Sequence, residues 1–266
     1  MALRRIFVAA VVMAATAASA EGAAARVAPR PAAQTATVAE SARPAWLDVP
    51  AVAPTTKTAE AEPVCARLKG AEACVGPDGS DRPGITIEDT SDDRRHPAVE
   101  YYLNGYLGTK YVIHNLGRDG EVRGSREIGR TVTFRAALYQ GDRRVKYGRW
   151  KTVRNVAKYP VNRDTRTTPA AARAKSRVCT STKGAATTCF SERNTHVYAC
   201  DTAADEYQAR AEYFVAGDPT ARFEIHQLAG VGTCGKAEHG DLSISMYRAS
   251  VFDHGRRKST RLYKYN

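Results

Sequence analysis

The sequence predicts an all-β protein made of two small antiparallel modules in tandem, each a β-sandwich or a barrel. Three observations predict this fold: apolar and polar residues alternate, the chain repeats itself at an offset of 112 residues, and six cysteines accompany the repeat. Alternation indicates strands with one buried face, because successive side chains of a strand point to opposite faces.

Length and composition agree with a folded, exported protein. The chain has 266 residues, of which 43% are hydrophobic and 26% charged, so wholesale disorder is excluded. Mean hydropathy is −0.44, and one early apolar run is present, which excludes a protein with several membrane spans. With 40 Lys and Arg against 28 Asp and Glu, the formal charge is +12, which favours anionic partners.

Residues 1–20 have the three parts of a signal peptide. Arg4 and Arg5 form a basic start, residues 6–17 are apolar but too short to span a bilayer, and Ala18-Ser19-Ala20 fits a signal peptidase. We therefore expect a secreted protein, extracellular or associated with the cell wall. No second apolar run follows, so no membrane span is predicted.

Residues 21–62 predict a disordered arm. They include 14 Ala and 5 Pro, with Trp46 as the only aromatic residue. Such a segment buries too little apolar surface to offset its ordering entropy. The arm is either a spacer through the cell wall or a tail without a role.

The internal repeat divides the rest of the chain. Residues 85–139 align with residues 197–251 without a gap and share 11 identities in 55 positions. The identical pairs include Asp89 and Asp201, Glu100 and Glu212, Tyr101 and Tyr213, Gly105 and Gly217, and His114 and His226. The predicted modules are residues 63–158 and 177–266, joined by a linker rich in Pro, Arg, Thr and Ala at 159–176.

Within each module the alternation predicts about five strands. In the first module Val99, Tyr101 and Leu103 alternate with Glu100 and Tyr102. Breaks rich in Gly, Asn and Asp separate such segments at short intervals, which is typical of antiparallel sheets.

The six cysteines predict three disulfides. Cys65 and Cys74 recur as Cys179 and Cys189, so we expect each pair to close a short loop at the start of its module. We expect Cys200 to bond Cys234, because the equivalent positions in the first module hold Glu88 and Val122, so both cysteines are absent there. A metal site is the alternative, but no Cys-x-x-Cys or histidine cluster accompanies these residues, so neither metal nor cofactor is predicted.

Two acidic segments at equivalent positions allow two interpretations. Glu88, Asp89, Asp92 and Asp93 offer oxygen ligands for Ca²⁺, but the spacing lacks the alternation and the Gly of an EF-hand loop. The preferred interpretation is an Asx turn, in which an Asp side chain accepts from nearby backbone amides.

Glu100 and His114 form the candidate acid–base pair. If Tyr101 pairs with Tyr111 in a hairpin, His114 lies opposite Ala98 and diagonal to Glu100, within side-chain reach. Such a pair can do acid–base chemistry, but a solvated cross-strand contact is the preferred interpretation. No nucleophile elbow, zinc-protease motif or phosphate-binding glycine loop is present, so no catalytic residues and no enzymatic activity are predicted.

Basic residues interleaved with aromatic ones end both modules. They are Arg143, Arg144, Lys146, Arg149, Trp150, Lys151, Arg256, Arg257, Lys258 and Arg261. Clustered cations beside aromatic rings attract polyanions, whereas a solvated edge strand that resists aggregation has the same composition.

The second module carries a family resemblance. The segment Val197-Tyr-Ala-Cys200-Asp201-Thr202-Ala-Ala-Asp205, followed by Gly232-Thr-Cys234, resembles small uncharacterised secreted proteins of actinobacteria that carry a Cys-Asp-x-x-Ala-Asp motif and paired cysteines. Glu206 stands where that family often has Gly. The resemblance implies a fold type and an exported protein but no catalytic residues.

Together these features predict a secreted, non-enzymatic protein that binds an anionic extracellular or cell-wall partner through its basic aromatic strands. The alternative is a protein-interaction or enzyme-inhibitor module with a protein partner, because small disulfide-closed folds present rigid loops. A secreted hydrolase is the third class, and it requires a cleft with clustered titratable groups.

Overall fold

The computed structural model describes residues 56–58, 63–77, 83–117, 120, 122–125, 131–154, 166–182, 185–191, 195–239 and 243–265. The predicted signal peptide lies outside these residues, as does the predicted arm except for residues 56–58.

The described residues form strands and one short helix, so the all-β fold class is confirmed. The elements of residues 56–154 are β1 (Thr56–Thr58), β2 (Val64–Leu68), β3 (Ala71–Pro77), β4 (Pro83–Asp89), β5 (His96–Leu103), β6 (Tyr106–Asn115), β7 (Val122–Ser125), β8 (Thr131–Gln140), β9 (Arg143–Tyr147) and β10 (Lys151–Arg154). The elements that follow are β11 (Arg166–Thr167), α1 (Pro169–Ala174), β12 (Ser176–Thr182), β13 (Ala186–Ser191), β14 (His196–Asp201), β15 (Gln208–Val215), β16 (Asp218–Gln227), β17 (Cys234–Glu238), β18 (Ile244–Asp253), β19 (Arg256–Thr260) and β20 (Lys264–Tyr265).

One large sheet runs through both halves of the chain. Its order is β1-β10-β8-β5-β6-β16-β15-β18-β19, with β9 also paired to β8 and β20 to β18. Strands β6 and β16 pair antiparallel in the middle, so the segments predicted as two modules share a continuous ladder.

Two small sheets cover one face of the large sheet. Their orders are β2-β3-β4-β7 and β11-β17-β14-β13-β12. The largest apolar cluster between the layers contains residues from both halves. Within it the rings of Tyr101 and Tyr111 stack at 5.2 Å, and those of Tyr213 and Phe223 stack at 5.5 Å.

The three predicted disulfides are confirmed, and each joins register partners on neighbouring strands. They are Cys65–Cys74 between β2 and β3, Cys179–Cys189 between β12 and β13, and Cys200–Cys234 between β14 and β17. Three disulfides are typical of proteins in oxidising compartments. Across the described ranges, no helix has the length and apolar character needed to cross a membrane.

The ladder registers of the two halves follow the offset seen in the sequence. Glu88 lies opposite Val122 in the β4–β7 ladder, as Cys200 lies opposite Cys234 in the β14–β17 ladder. In the central ladder Val112 lies opposite Glu224, and these two positions are themselves 112 residues apart. Positions 112 apart are therefore related by a local two-fold axis that passes between β6 and β16.

A β-bulge changes this offset within β18. Phe214 pairs with Met246 and Val215 with Ile244, so Ser245 is an extra residue, whereas the equivalent β5–β8 ladder is continuous at this point. From Met246 onward the registers of the two halves match at an offset of 113. A gapless alignment therefore matches the last residues of the repeat to positions one residue away from their structural equivalents, because the bulged residue takes no ladder partner.

The predicted linker, residues 159–176, contains regular structure in its described part. Strand β11 pairs with β17, and α1 follows, with Pro169 in its first turn. The Thr168 side chain caps this helix by accepting from the Ala171 amide at 3.2 Å.

Candidate functional site

The face of the large sheet that points away from the core is rich in charge. We call it the polar face and define it by Glu100, Lys110, His114, Arg135, Arg210, Glu212, Arg222, Glu224, His226 and Arg248. These residues alternate with core residues on six neighbouring strands, as the period of two requires. Most of them are buried, although three are carboxylates and five are cations.

Glu100 on β5 is the acceptor for four donors. Arg135 Nη2 lies 2.6 Å from its carboxylate, and Tyr139 donates its hydroxyl at 2.5 Å. Arg144 Nη1 and Lys110 Nζ complete the cluster at 3.0 and 3.4 Å. Burial raises the pKa of Glu100, but the charges of Lys110, Arg135 and Arg144 outweigh it, so the pKa lies well below its usual range.

Glu212 on β15 has an equivalent arrangement in the second half. Arg248 Nη2 lies 2.5 Å from its carboxylate and Arg257 Nη2 lies 2.8 Å from it. Glu100 and Glu212 are 112 residues apart, whereas their arginine partners on β8, β9, β18 and β19 are 113 apart, as the bulge at Ser245 requires.

A third carboxylate, Glu224, lies between two histidines beside the two-fold axis. His114 Nε2 is 3.0 Å from Glu224 Oε1, and His226 Nε2 is 2.7 Å from Oε2. Arg222 Nη2 also contacts Oε1 at 3.1 Å. Burial raises the pKa of Glu224, but the charge of Arg222 and the hydrogen bonds from His114 and His226 hold it well below its usual range. Burial and nearby cations lower the pKa of both histidines, so these are neutral at pH 7.

The hairpin register expected for the candidate pair is confirmed. Tyr101 pairs with Tyr111, and Ala98 lies opposite His114. The expectation that Glu100 and His114 are solvated is wrong, because both side chains are completely buried. Glu100 is bonded to Lys110 and Arg135 instead, and His114 is bonded to Glu224. The hairpins β8–β9 and β18–β19 also send Arg144 and Arg257 over the polar face.

Asp142, in the turn between β8 and β9, connects the two halves. Its carboxylate lies 3.2 Å from Arg222 and 3.0 Å from Arg257. Oxygen atoms of Asp142, Glu212 and Glu224 lie within 4.8 Å of one another, a spacing that can suit a metal ion. Here three arginines, Arg222, Arg248 and Arg257, bond the same three carboxylates, so their negative charge is already neutralised. Sequence reasoning missed this cluster, because the three carboxylates are far apart along the chain.

A cavity of about 320 Å³ opens beside these clusters and is lined by residues of both halves. Its cations are Lys110, Arg143, Arg144, Arg210 and Arg256. Among the described residues of the lining, only Glu100 and Asp142 oppose these cations, so this lining carries an excess of positive charge. His226 and Gln208 add neutral polar groups.

Six of the ten predicted polyanion-binding residues are engaged within the protein. Arg144 and Arg257 bond Glu100 and Glu212, and Trp150 packs 4.2 Å from the Arg135 guanidinium. The other three contacts are Lys151 to the Cys65 carbonyl, Lys258 to Asp253 at 3.1 Å, and Arg261 to the Ser181 carbonyl at 2.7 Å.

The other four residues, Arg143, Lys146, Arg149 and Arg256, are exposed. None of their side chains has a hydrogen bond or an ion pair within the described part of the chain. Arg143 on β9 and Arg256 on β19 are equivalent at the offset of 113, and both line the cavity.

The acidic segments form the predicted Asx turns. Asp89 Oδ1 accepts from the Ser91 amide at 3.1 Å, and Asp201 Oδ1 accepts from the Ala203 amide at 3.3 Å. A second turn follows in each half, at Asp93 and at Asp205. The side chains therefore stabilise the loops that lead into β5 and β15.

Comparison with known proteins gives no functional assignment. No family model matches the chain, and no curated protein matches it. Among solved structures the chain is similar to the crystal structure of chicken CNTN1 FN1-FN3 domains, with 8% identity, a TM-score of 0.23, and coverage of 73% of this chain and 76% of that chain. A TM-score this low carries no argument about fold or function. The resemblance to secreted actinobacterial proteins stays a prediction.

Proposed function

We propose that this is a secreted, non-enzymatic protein that binds an anionic extracellular or cell-wall partner at the rim of the cavity. The rim comprises Arg143 and Arg256, the two exposed cations that line the cavity. One observation carries the proposal: Arg143 and Arg256 occupy equivalent positions in two hairpins and line a cavity in whose described lining cations outnumber carboxylates.

Charge balance supports binding at the rim rather than along the whole of both strands. Arg144 and Arg257 are held by buried carboxylates, and their release for a ligand would leave Glu100 or Glu212 buried with fewer partners. Arg143 and Arg256 make no ion pair in the described ranges, so contact with an anion costs no internal bond.

We further propose that the molecule arose by duplication of one module, so that the rim contains two equivalent arginines. The matching registers at offsets of 112 and 113 support this proposal. Two equivalent cations on one rim suit a partner with repeated negative charge, because a repeating polymer presents the same group at regular intervals.

The test compares retention of the mature protein on an immobilised polyanion with that of two double variants. Arg143→Glu/Arg256→Glu reverses both rim arginines, whereas Arg173→Glu/Arg177→Glu makes the same change in charge at exposed residues of α1 and β12. We expect only the rim variant to elute at lower salt. Equal loss in both variants would mean that net charge alone drives retention, and no loss in either would favour a protein partner.

A further inference from the structure

The cavity behind the rim has more positive charge than its own carboxylates satisfy. Glu100 is shared among Lys110, Arg135 and Arg144, and Asp142 is shared between Arg222 and Arg257. Lys110 reaches Glu100 only at 3.4 Å, at the limit of a hydrogen bond. An ammonium group has three donors, so Lys110 can bond a ligand and keep this contact.

His226 supplies a buried acceptor in the same cavity. Its Nε2 lies 2.7 Å from the Glu224 carboxylate, so that nitrogen carries the proton and donates it. Burial and the charges of Arg210 and Lys110 lower the pKa of His226 well below its usual range, so the ring is neutral and Nδ1 is an acceptor. The residue is 1% exposed, and Nδ1 has no hydrogen-bond partner among the described residues. A buried acceptor without a donor is costly, so a ligand donor is favoured at this atom.

Two cations and the acceptor are neighbours in the sheet. Lys110 on β6 is the register partner of His226 on β16, and Arg210 on β15 is the next partner across. Gln208 accepts from Arg210 Nε, which fixes that guanidinium at the cavity wall. A ligand in the cavity therefore meets two cations and a neutral imidazole within three adjacent strands.

We propose that the cavity binds a compact anionic group with a neighbouring hydroxyl, the chemistry shared by sugar acids and polyol phosphates. Lys110 and Arg210 contact the anion, and the hydroxyl donates to His226 Nδ1. This inference rests on the proposed anion binding and deepens it, because it names the part of an anionic partner that enters the protein.

Lys110 gives the site a measurable signature. Burial lowers the pKa of Lys110 to about 8, and the charges of Arg144, Arg210 and Arg135 add to this effect against the attraction of Glu100. His226, the remaining group opposite Lys110, is neutral. A bound anion raises the pKa of Lys110, so binding takes up a proton near pH 8 and strengthens as the pH falls through that value.

The test is calorimetric titration with two matched pairs of probes, glycerol 3-phosphate against propyl phosphate and glucuronate against cyclohexanecarboxylate. In the wild-type protein we expect the hydroxylated member of at least one pair to bind about tenfold more tightly, the value of one satisfied buried hydrogen bond. The pair that shows this preference identifies the source of the anion. Titration near pH 8 in buffers of different ionisation enthalpy measures the proton uptake.

Two variants separate the contacts. Lys110→Met keeps most of the length of the side chain and removes its charge, and it is expected to weaken both members of a pair about tenfold and to abolish proton uptake. His226→Gln keeps an N–H donor for Glu224 and removes the Nδ1 acceptor, so only the preference for the hydroxylated probe is expected to disappear. A shift of the Nδ1 signal in the nitrogen NMR spectrum of the wild-type protein reports the same contact without a variant.

Three results would overturn the inference. Equal affinity within both pairs, or a preference that survives in His226→Gln, removes the role of the hydroxyl and the histidine. Failure of all four probes to bind, with retention on polyanion still dependent on Arg143 and Arg256, removes the cavity site and leaves the proposed function standing. Loss of both kinds of binding overturns the two proposals together.

Discussion

At the scale of single residues, the polar face consists of carboxylates that are buried only with their partners in place. Glu100, Glu212 and Glu224 each accept from at least two donors, which offsets the desolvation of a buried charge. The sequence does not display this arrangement, since Glu100 alternates with tyrosines in the same way as a solvated residue. The one indication in the sequence that Glu100 is not an ordinary solvated residue is that the repeat has the same residue, Glu212, at the equivalent position.

Removal of one carboxylate is expected to destabilise the fold strongly. Glu212→Gln leaves Arg248 partly buried without its carboxylate partner and leaves Arg257 with Asp142 alone, and we expect a loss of about 3–5 kcal/mol in the free energy of unfolding. Chemical denaturation measures the change. Glu206→Gln, at an exposed residue, is the control and is expected to stay within about 0.5 kcal/mol of the wild type. An equally small effect for Glu212→Gln would mean that Glu212 and its arginine partners are not buried in solution.

Buried neutral histidines predict sensitivity to acid. Burial and the charge of His196 lower the pKa of His239 to about 3, and its Nε2 is 2.6 Å from the Tyr213 hydroxyl. Between its unfolded pKa, near 6.5, and about 3, the unfolded chain binds a proton that the folded protein does not, so stability falls as the pH falls.

His239→Gln keeps an acceptor for Tyr213 and removes the titration. From pH 6 to pH 4 we expect its stability to fall less steeply than that of the wild type, by about 1 kcal/mol per pH unit. Urea unfolding at a series of pH values measures both slopes. Parallel slopes would show that His239 is accessible to protons in the folded protein.

At the scale of strands, the sequence predicted local pairing well and irregularities poorly. The register of Tyr101 with Tyr111 follows from alternating aromatic residues. The disulfide between Cys200 and Cys234 follows from the absence of both cysteines at the equivalent positions of the first module. The bulge at Ser245 was not predicted. Apolar and polar residues still alternate on each side of an inserted residue, so the pattern fits a strand with or without the insertion.

The β4–β7 ladder offers a position for a fourth disulfide. Glu88 and Val122 are register partners with the same separation of 34 residues as Cys200 and Cys234. The double variant Glu88→Cys/Val122→Cys is expected to oxidise spontaneously and to stabilise the protein by about 2–4 kcal/mol. Denaturation of the oxidised variant beside the wild type measures the gain, because a reductant would also open the three native disulfides. Free thiols in the folded variant would contradict the ladder register.

Gly235 on β17 marks a close approach between a small sheet and the large sheet. A Cβ at this position would lie 2.5 Å from Thr109 Cγ2 on β6 and 3.0 Å from Ile225 Cγ2 on β16. We expect Gly235→Ala to cost about 1–3 kcal/mol through overpacking. Gly148→Ala is the matched control, since its Cβ would meet its nearest atom at 3.6 Å. Thermal unfolding distinguishes the two, and equal midpoints would mean that the layers are more loosely packed.

At the scale of the molecule, the two halves join through backbone groups of β6 and β16. Sequence periodicity shows which side chains face a core, but it does not show which strand edges pair. Two separate modules and one sheet shared through β6 and β16 therefore have the same alternation of apolar and polar residues. The shared sheet has a functional consequence. Lys110, Arg143 and Arg144 from the first half and Arg210 and Arg256 from the second line one cavity.

The measurement that tests the central claim most directly is binding of the mature protein to isolated cell wall across a salt series, with and without the anionic polymers of that wall. We predict that log affinity falls steeply with log salt, that removal of the polymers abolishes binding, and that Arg143→Glu/Arg256→Glu lowers the salt slope by about 2. Salt-insensitive binding, or binding that survives removal of the polymers, would contradict the assignment of the cationic rim as an anion-binding site.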